Sequence, residues 1–282
     1  MRGRLIEEKI FQGLMMAATG LVMGTLGLIL ATIFVKGFRA LSLEMLFRTP
    51  QGGYYIGGGG GIANAIVGSL VLGLGATFLA LLISLPLVFY LNIYLRRKSR
   101  LAFFIRFALD VLWGVPSIVY GAFGFTLMVA LGLRASLLAG TLTVALLIVP
   151  ILARGMDEIF RMVPQELKEA AYALGSTRWE TAMKVVLKQA FPGLIASVLI
   201  AFGRGIGDAA SVLFTASFTD SLPTSLFKPV ATLPLAIFFQ LGTPFPEVQA
   251  RGYASALVLT LIVLTVSILA RRLTGRMTRN TR

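Results

Sequence analysis

Arg204 and Asp208 stand four residues apart in the segment GRGIGDAAS, inside an otherwise apolar run. Each such charge at the centre of a bilayer-spanning helix carries a penalty of about 2.5–3.5 kcal/mol, so neither is expected to face lipid. Ser197, Arg204, Asp208, Ser211 and Thr215 follow one another at intervals of seven, four, three and four, which predicts one polar stripe on a helix. Gly203, Gly207 and Ser211 form an adjoining row of small residues suited to close helix contact. Three chemistries fit the pair. The guanidinium fork matches an oxyanion such as phosphate or sulfate, with Asp208 keeping Arg204 from holding it too tightly for passage. A buried ion pair that only orders helix packing is the second, although Arg ahead of the acid is the poorer i,i+4 order. A proton-coupled Arg–Asp relay, as in ion-driven carriers, is the third.

A second group is polar and helix-prone. Glu169, Ala170, Ala171 and Gly175 lie in EAAYALGSTRWETAMKVVLKQAFP, a stretch too charged to cross a bilayer. Met162, Leu167, Ala170, Ala171 and Leu174 recur at near-helical spacing, with Pro164 placed to open the helix. Gly175 predicts a left-handed stop, and Ser176 or Thr177 a cap for the helix that follows, with Glu180 at capping-box distance from Thr177. The expected local structure is a short helix, a tight turn and a second helix running into the next apolar segment.

These groups sit in a membrane protein. The hydrophobic fraction is 57% with 13% charged residues, and the mean hydropathy is +0.86, outside the globular range. The formal charge of +14 gathers at the ends of apolar runs and has no aromatic–basic surface beside it, so no nucleic-acid partner is expected. With no Cys and no His, thiol chemistry, imidazole catalysis and the usual zinc sites are excluded; no catalytic and no metal residues are assigned. No G-x-x-x-x-G-K-[ST] stretch occurs, so ATP is not held here by a P-loop.

Six spans of about 20 residues or more are expected, near Ile10–Val35, Ile66–Leu95, Ile105–Leu131, Leu137–Ala153, Phe191–Ser217 and Tyr253–Ala270. Pro86 is placed to kink the second, and Pro150 leaves the fourth short. The first is too long for a signal-peptide core and reads as a retained anchor. Of the 26 basic residues, 19 fall on one side of this arrangement and six on the other, which puts both termini and the Glu169–Gly175 loop in the cytoplasm. Outside, Gly52–Gly61 reads as a mobile loop or an anion-binding nest. The proline-rich stretch from Thr219 to Arg251 reads as an interfacial or re-entrant helix. Asp110, near the cytoplasmic end of the third span, is expected to cap or snorkel.

Glu169-Ala170-Ala171-x3-Gly175 resembles the EAA loop by which ABC-importer permeases grip their ATPase. GGIANAIVGSL from Gly60, GVPSIVYG from Gly114 and GRGIGDAASVLFTAS from Gly203 resemble the phosphate-specific members, in particular their A-type subunit. The likeness runs from about Gly60 to Leu273. It departs at Asp208, where relatives usually have glutamate, at Ala209–Ser211, where threonine and proline are common, and at Lys188, where proline is common although Pro192 keeps the later one; a straighter second hairpin helix is expected.

The resemblance implies an all-α, polytopic type I ABC importer permease fold with six transmembrane helices. Residues 1–63 would form an anchor helix and external Gly-rich loop, 64–273 the permease core with a coupling loop at about 154–190, and 274–282 a basic tail. It implies a pore subunit, not an enzyme, in a plasma (inner) membrane. The substrate would be inorganic phosphate, with sulfate, molybdate or phosphonate as the alternative oxyanions. Glu169, Ala170, Ala171 and Gly175 would dock the ATPase; Arg204, Asp208, Ser211, Ser117 and Tyr120 would border the substrate pathway. The implied partners are a C-type permease in a heterodimer, two copies of a cytoplasmic ATP-binding subunit and an external phosphate-binding protein. No cofactor is expected in this chain, ATP and Mg being held by the ATPase. An ion-coupled carrier and a non-transporting scaffold or sensor partner are the readings from other classes.

Overall fold

A computed structural model describes residues 2–51, 59–96 and 99–280 of the chain. Its elements are α1 (Arg2–Ala40), α2 (Leu43–Phe47), α3 (Ala63–Phe89), α4 (Arg100–Gly114), α5 (Ser117–Ala130), α6 (Leu137–Met162), α7 (Gln165–Ala173), α8 (Arg178–Glu180), α9 (Leu187–Ile206), α10 (Leu233–Leu241) and α11 (Pro246–Asn280). Wider π turns follow α3 at Tyr90–Tyr94 and precede α9 at Thr181–Val186.

Among the described residues, five helices are long and apolar enough to cross a membrane, and a sixth span results if α4 and α5 are taken together. That pair covers the expected third span, Ile105–Leu131, and its two helices meet at a 97° bend. The cause is local. Val115 precedes Pro116, whose ring disfavours helical backbone before it, and both residues are extended. The Tyr120 hydroxyl donates to the Leu112 carbonyl at 2.9 Å, which also accepts the Val115 amide at 3.1 Å, and so ties the start of α5 to the end of α4.

α3, α6 and α9 form the centre. Along α3 the buried residues Gly68, Ser69, Leu72, Gly73, Ala76, Thr77 and Ala80 make one face of small side chains. Opposite lie Val144, Leu147, Ile148 and Leu152 of α6 and Ala190, Leu194 and Ala201 of α9. Small residues let helices approach where burial from lipid adds little driving force. The loop before α10 comes closest of all: a Cβ at Gly68 would collide with the Ala231 carbonyl. α1, by contrast, is exposed over most of its apolar length and packs on α11 through Gly37 against Leu257 and Lys36 over the Tyr253 ring at 4.7 Å. The segment between Thr219 and Arg251 holds α10, whose Leu233, Pro234, Leu235, Ala236 and Gln240 are buried in the protein. In the preceding loop, burial pushes the Asp220 carboxyl up from the ordinary carboxylate range. Of the Gly-rich segment, residues 52–58 lie outside the described ones; Gly60 takes φ +106° as the chain returns against α2.

One ionic cluster fastens the other end of the bundle. The Asp157 carboxylate on α6 is fully buried. It accepts from Arg106 Nε at 2.8 Å and Nη2 at 2.9 Å, from Asn92 Nδ2 at 2.7 Å and from Arg154 Nη1 at 3.2 Å. Arg154 also pairs with Asp110. Where the sequence suggested that Asp110 caps or snorkels, it bridges α4 to α6 through Arg154. The π turn after Pro86 is what carries Asn92 into this cluster.

Two outcomes follow from this packing. Gly68→Val should destabilise the fold by about 1–3 kcal/mol through overpacking, while Gly24→Ala, with open space around it, should leave the thermal melting in detergent unchanged. Asp157→Asn should cost about 3–5 kcal/mol, because it strands buried guanidinium charge. Asp110→Asn, at a half-exposed position, should cost under about 1 kcal/mol in the same melts.

Candidate functional site

Two regions answer to the residues singled out in the sequence. The first lies where α9 stops. The apolar run continues to Ser217, yet the helix ends at Ile206 with Gly207 as its C-cap, and residues 208–216 form turns and irregular backbone. Glycines at 203, 205 and 207 weaken the last turn. Asp208 then competes for the backbone, its Oδ2 accepting from the Ser211 amide at 2.8 Å. The expected single stripe is thus divided: Ser197 and Arg204 ride on α9, while Asp208, Ser211 and Thr215 belong to the turn segment. Non-helical backbone inside a membrane bundle persists only where protein or water surrounds it, and broken helices recur at transport sites.

Arg204 occupies the last turn of α9, where the partial negative charge of the helix terminus favours a cation. Its side chain is 48% exposed, whereas Asp208, its partner at 3.3 Å, is 4% exposed. The guanidinium faces a cleft of about 440 Å³ lined by Gly203, Gly207 and, from α11, Leu259, Thr260, Val263, Leu264 and Ser267. Those α11 positions run from the middle of its span, Pro246–Leu273, towards its C-terminal half, so Arg204 sits within the apolar length of the helices and not at their ends. Asp208 lies behind, anchored to Ser211. Ser211 is fully buried and its hydroxyl finds no partner among the described residues. The segment from Ser117 to Gly121 does reach this place: a Cβ at Gly121 would stand 2.7 Å from the Ala210 carbonyl and 3.1 Å from Ser211. Ser117 and Tyr120 are half-buried there, and Tyr120's hydroxyl is engaged at the α4–α5 bend. Of the five residues placed on the pathway by sequence, Arg204 alone lines the cleft. Thr260 and Ser267 are polar members that sequence reading missed; their signal, hydroxyls at i and i+7 on an apolar helix, is weak.

The second region is the hairpin between α6 and α9. α7 closes with the Ser176 amide donating to Ala171 O at 3.1 Å and the Gly175 amide to Tyr172 O at 2.9 Å. Gly175 holds φ +81°, the left-handed cap its glycine allows. Thr177 and Glu180 form the capping box in both directions. The following helix is not a plain straight one, for the π turn Thr181–Val186 widens it before Pro192. Ala171 is buried against the bundle, while Glu169, Ala170 and Gly175 are exposed. Leu174 at the tip is 88% exposed, and Leu167 and Tyr172 are exposed beside it. An apolar tip flanked by charge, on a rigidly capped hairpin, is a surface built to be covered. Trp179 and Phe89, with rings 6.2 Å apart, and Phe89 against Phe160, at 5.1 Å, tie the hairpin to α3 and α6. Asp157, one turn from Phe160, went unmarked in the sequence; acids spaced among Arg106, Asp110 and Arg154 at helical intervals were the available signal.

The family described as binding-protein-dependent transport system inner membrane component matches residues 87–282. A phosphate transport system permease protein PstA of Yersinia pestis is 40% identical over 250 residues, 87% of this chain and 82% of that protein. A PstA of Haemophilus influenzae is 34% identical over 273 residues, 95% and 94% of the two chains. Among solved structures, an inward-facing MetNI methionine ABC transporter superposes with a TM-score of 0.62 at 18% identity, covering 77% of this chain and 95% of the other. An amino acid ABC transporter gives 0.57 at 17% identity, covering 76% and 93%. The fold is thus that of ABC importer permeases, and the chain belongs to the binding-protein-dependent transport system inner membrane components, among them to the PstA permeases.

Proposed function

We propose that this chain is one half of the pore of an ATP-driven importer of inorganic phosphate. The observation that carries it is the pairing of a half-exposed Arg204 in the cleft between α9 and α11 with an exposed, capped hairpin at the bundle's end, in a chain 40% identical to a phosphate permease. Arg204 attracts the oxyanion by its fork-shaped donor set. Asp208, buried beside it and bonded to Ser211, draws off part of that attraction, so the anion is admitted without being trapped. The α9–α11 cleft faces a C-type permease subunit, which completes the pore.

Both termini and the hairpin lie in the cytoplasm, in keeping with the distribution of basic residues. The hairpin docks, through Glu169, Ala170, Gly175 and the exposed Leu174, into one of two copies of an ATPase subunit, which holds ATP and Mg. Ala171 backs this surface from inside. An external binding protein delivers phosphate to the opposite end, over α10 and the segment around it. Closure of the ATPase pair moves α7, and α6 with α9 transmits that movement to the Arg204 level. The whole is alternating access, in which no bond is made or broken by this chain.

Uptake of labelled phosphate at low external concentration, in cells lacking the chain and complemented with variants, tests the reading. Wild type should restore uptake. Glu169→Lys and Leu174→Asp should reach the membrane and leave uptake near background. Arg204→Ala should lower uptake by at least about tenfold, the worth of one charge-assisted hydrogen bond of about 1.5–3 kcal/mol. Restored uptake by all three variants would refute the assignment of both surfaces.

A further inference from the structure

Between the hairpin and the membrane helices lies a cavity of about 620 Å³ that the transport reading leaves unused. Its polar wall carries Arg106, Arg161 and Lys168 against a single acid, Glu158, and Gln165 at the first turn of α7 brings the positive end of that helix to it. Its apolar wall is made by Leu91, Ile93, Leu95 and Met162. A second cleft shares Ile93, Leu95 and Tyr172 with it and adds two more cations, Arg96 and Arg178. Arg106 is occupied by Asp157. Arg161, on the last turn of α6, forms no salt bridge among the described residues.

We propose that this cavity binds a phosphate-bearing anion at the inner membrane surface, with Arg161 and Lys168 as its cationic ligands and α7 as its roof. Basic hollows between membrane helices on the cytoplasmic side are the usual form of headgroup sites. The volume exceeds what a bare phosphate fills and lies within the range for a drug-sized ligand. The apolar wall beside the charges suits the glycerol and first methylenes of a lipid. Exposed Tyr90, Tyr94, Phe103 and Phe104 on the adjoining segments mark the level at which aromatic side chains meet headgroups. An occupant would touch α6, α7 and the turn after α3 together, and so would steady the hairpin against the bundle. The inference uses the proposed orientation of the hairpin but not the identity of the transported ion.

The transporter, purified through a tag on this chain and placed in nanodiscs, supplies the test. Spin-labelled phosphatidylglycerol should be retained over spin-labelled phosphatidylcholine. Arg161→Gln should weaken that preference about fivefold, since each basic residue near such a surface contributes about that factor, and Arg161→Lys should restore it. Arg161 is exposed, so its loss leaves the fold intact, which a melting curve checks. In a second arm, inorganic phosphate is titrated into detergent-purified protein by calorimetry. Arg161-dependent binding there, without lipid preference, identifies free phosphate as the source of the anion. Absence of Arg161 dependence in both arms overturns the proposal. A lipid preference found only after the ATPase subunits are stripped from the transporter also overturns it, since the cavity would then belong to that interface. Because neither arm measures transport, failure here leaves the importer reading standing, and failure of uptake leaves the site standing.

Discussion

A carboxylate shut away from water at Asp157 sets the terms for the hairpin end of the molecule. Left alone it would be intolerable there, and it is held by donors from three directions: the turn after α3, α4 and its own α6. Such a cluster adds little to net stability compared with an apolar core, but breaking it strands charge, so it enforces one arrangement. Those helices therefore meet at a fixed point just where the hairpin begins. The Phe89–Phe160–Trp179 contacts extend the joint into the hairpin itself. Whatever moves α7 must move this joint as a body.

At the far end of α9 the constraint is backbone rather than charge. Once the helix stops at Ile206, amides and carbonyls of the next ten residues need partners in a place without bulk water. Asp208 supplies one, the Ser211 amide, and Thr215 another by donating to Ser211 O at 3.1 Å. The acid of the Arg–Asp pair is thereby committed to structure, and the base is left facing the cleft. This asymmetry, 48% exposure against 4%, gives the two residues separate roles. Low helix propensity and a side chain that competes for the backbone create a charged opening in an apolar bundle.

The parts of this that could be read from the residues are those governed by short-range rules. The Gly175 stop and the Thr177–Glu180 box depend on a few adjacent residues and appear as expected. The apolar runs predicted spans because bilayer thickness demands them. What escaped reading depends on contacts far apart in sequence. Pro116 lies inside the mainly apolar run from Ile105 to Leu131, and nothing nearby in sequence marked the 97° bend there. The end of α9 was hidden by the same continuity, so a stripe drawn for one helix was divided. Asp157 could not be matched with Arg106, 51 residues away, without the fold.

The central claim is that ATP drives phosphate past Arg204. It is tested most directly in sealed vesicles containing this chain with its partner subunits and binding protein, loaded with ATP on the hairpin side. Labelled phosphate is supplied outside with and without excess sulfate. The account predicts phosphate accumulation that requires ATP, survives an uncoupler and is indifferent to sulfate. Accumulation without ATP, abolished by the uncoupler, would contradict it and return Arg204 and Asp208 to the role of a proton relay.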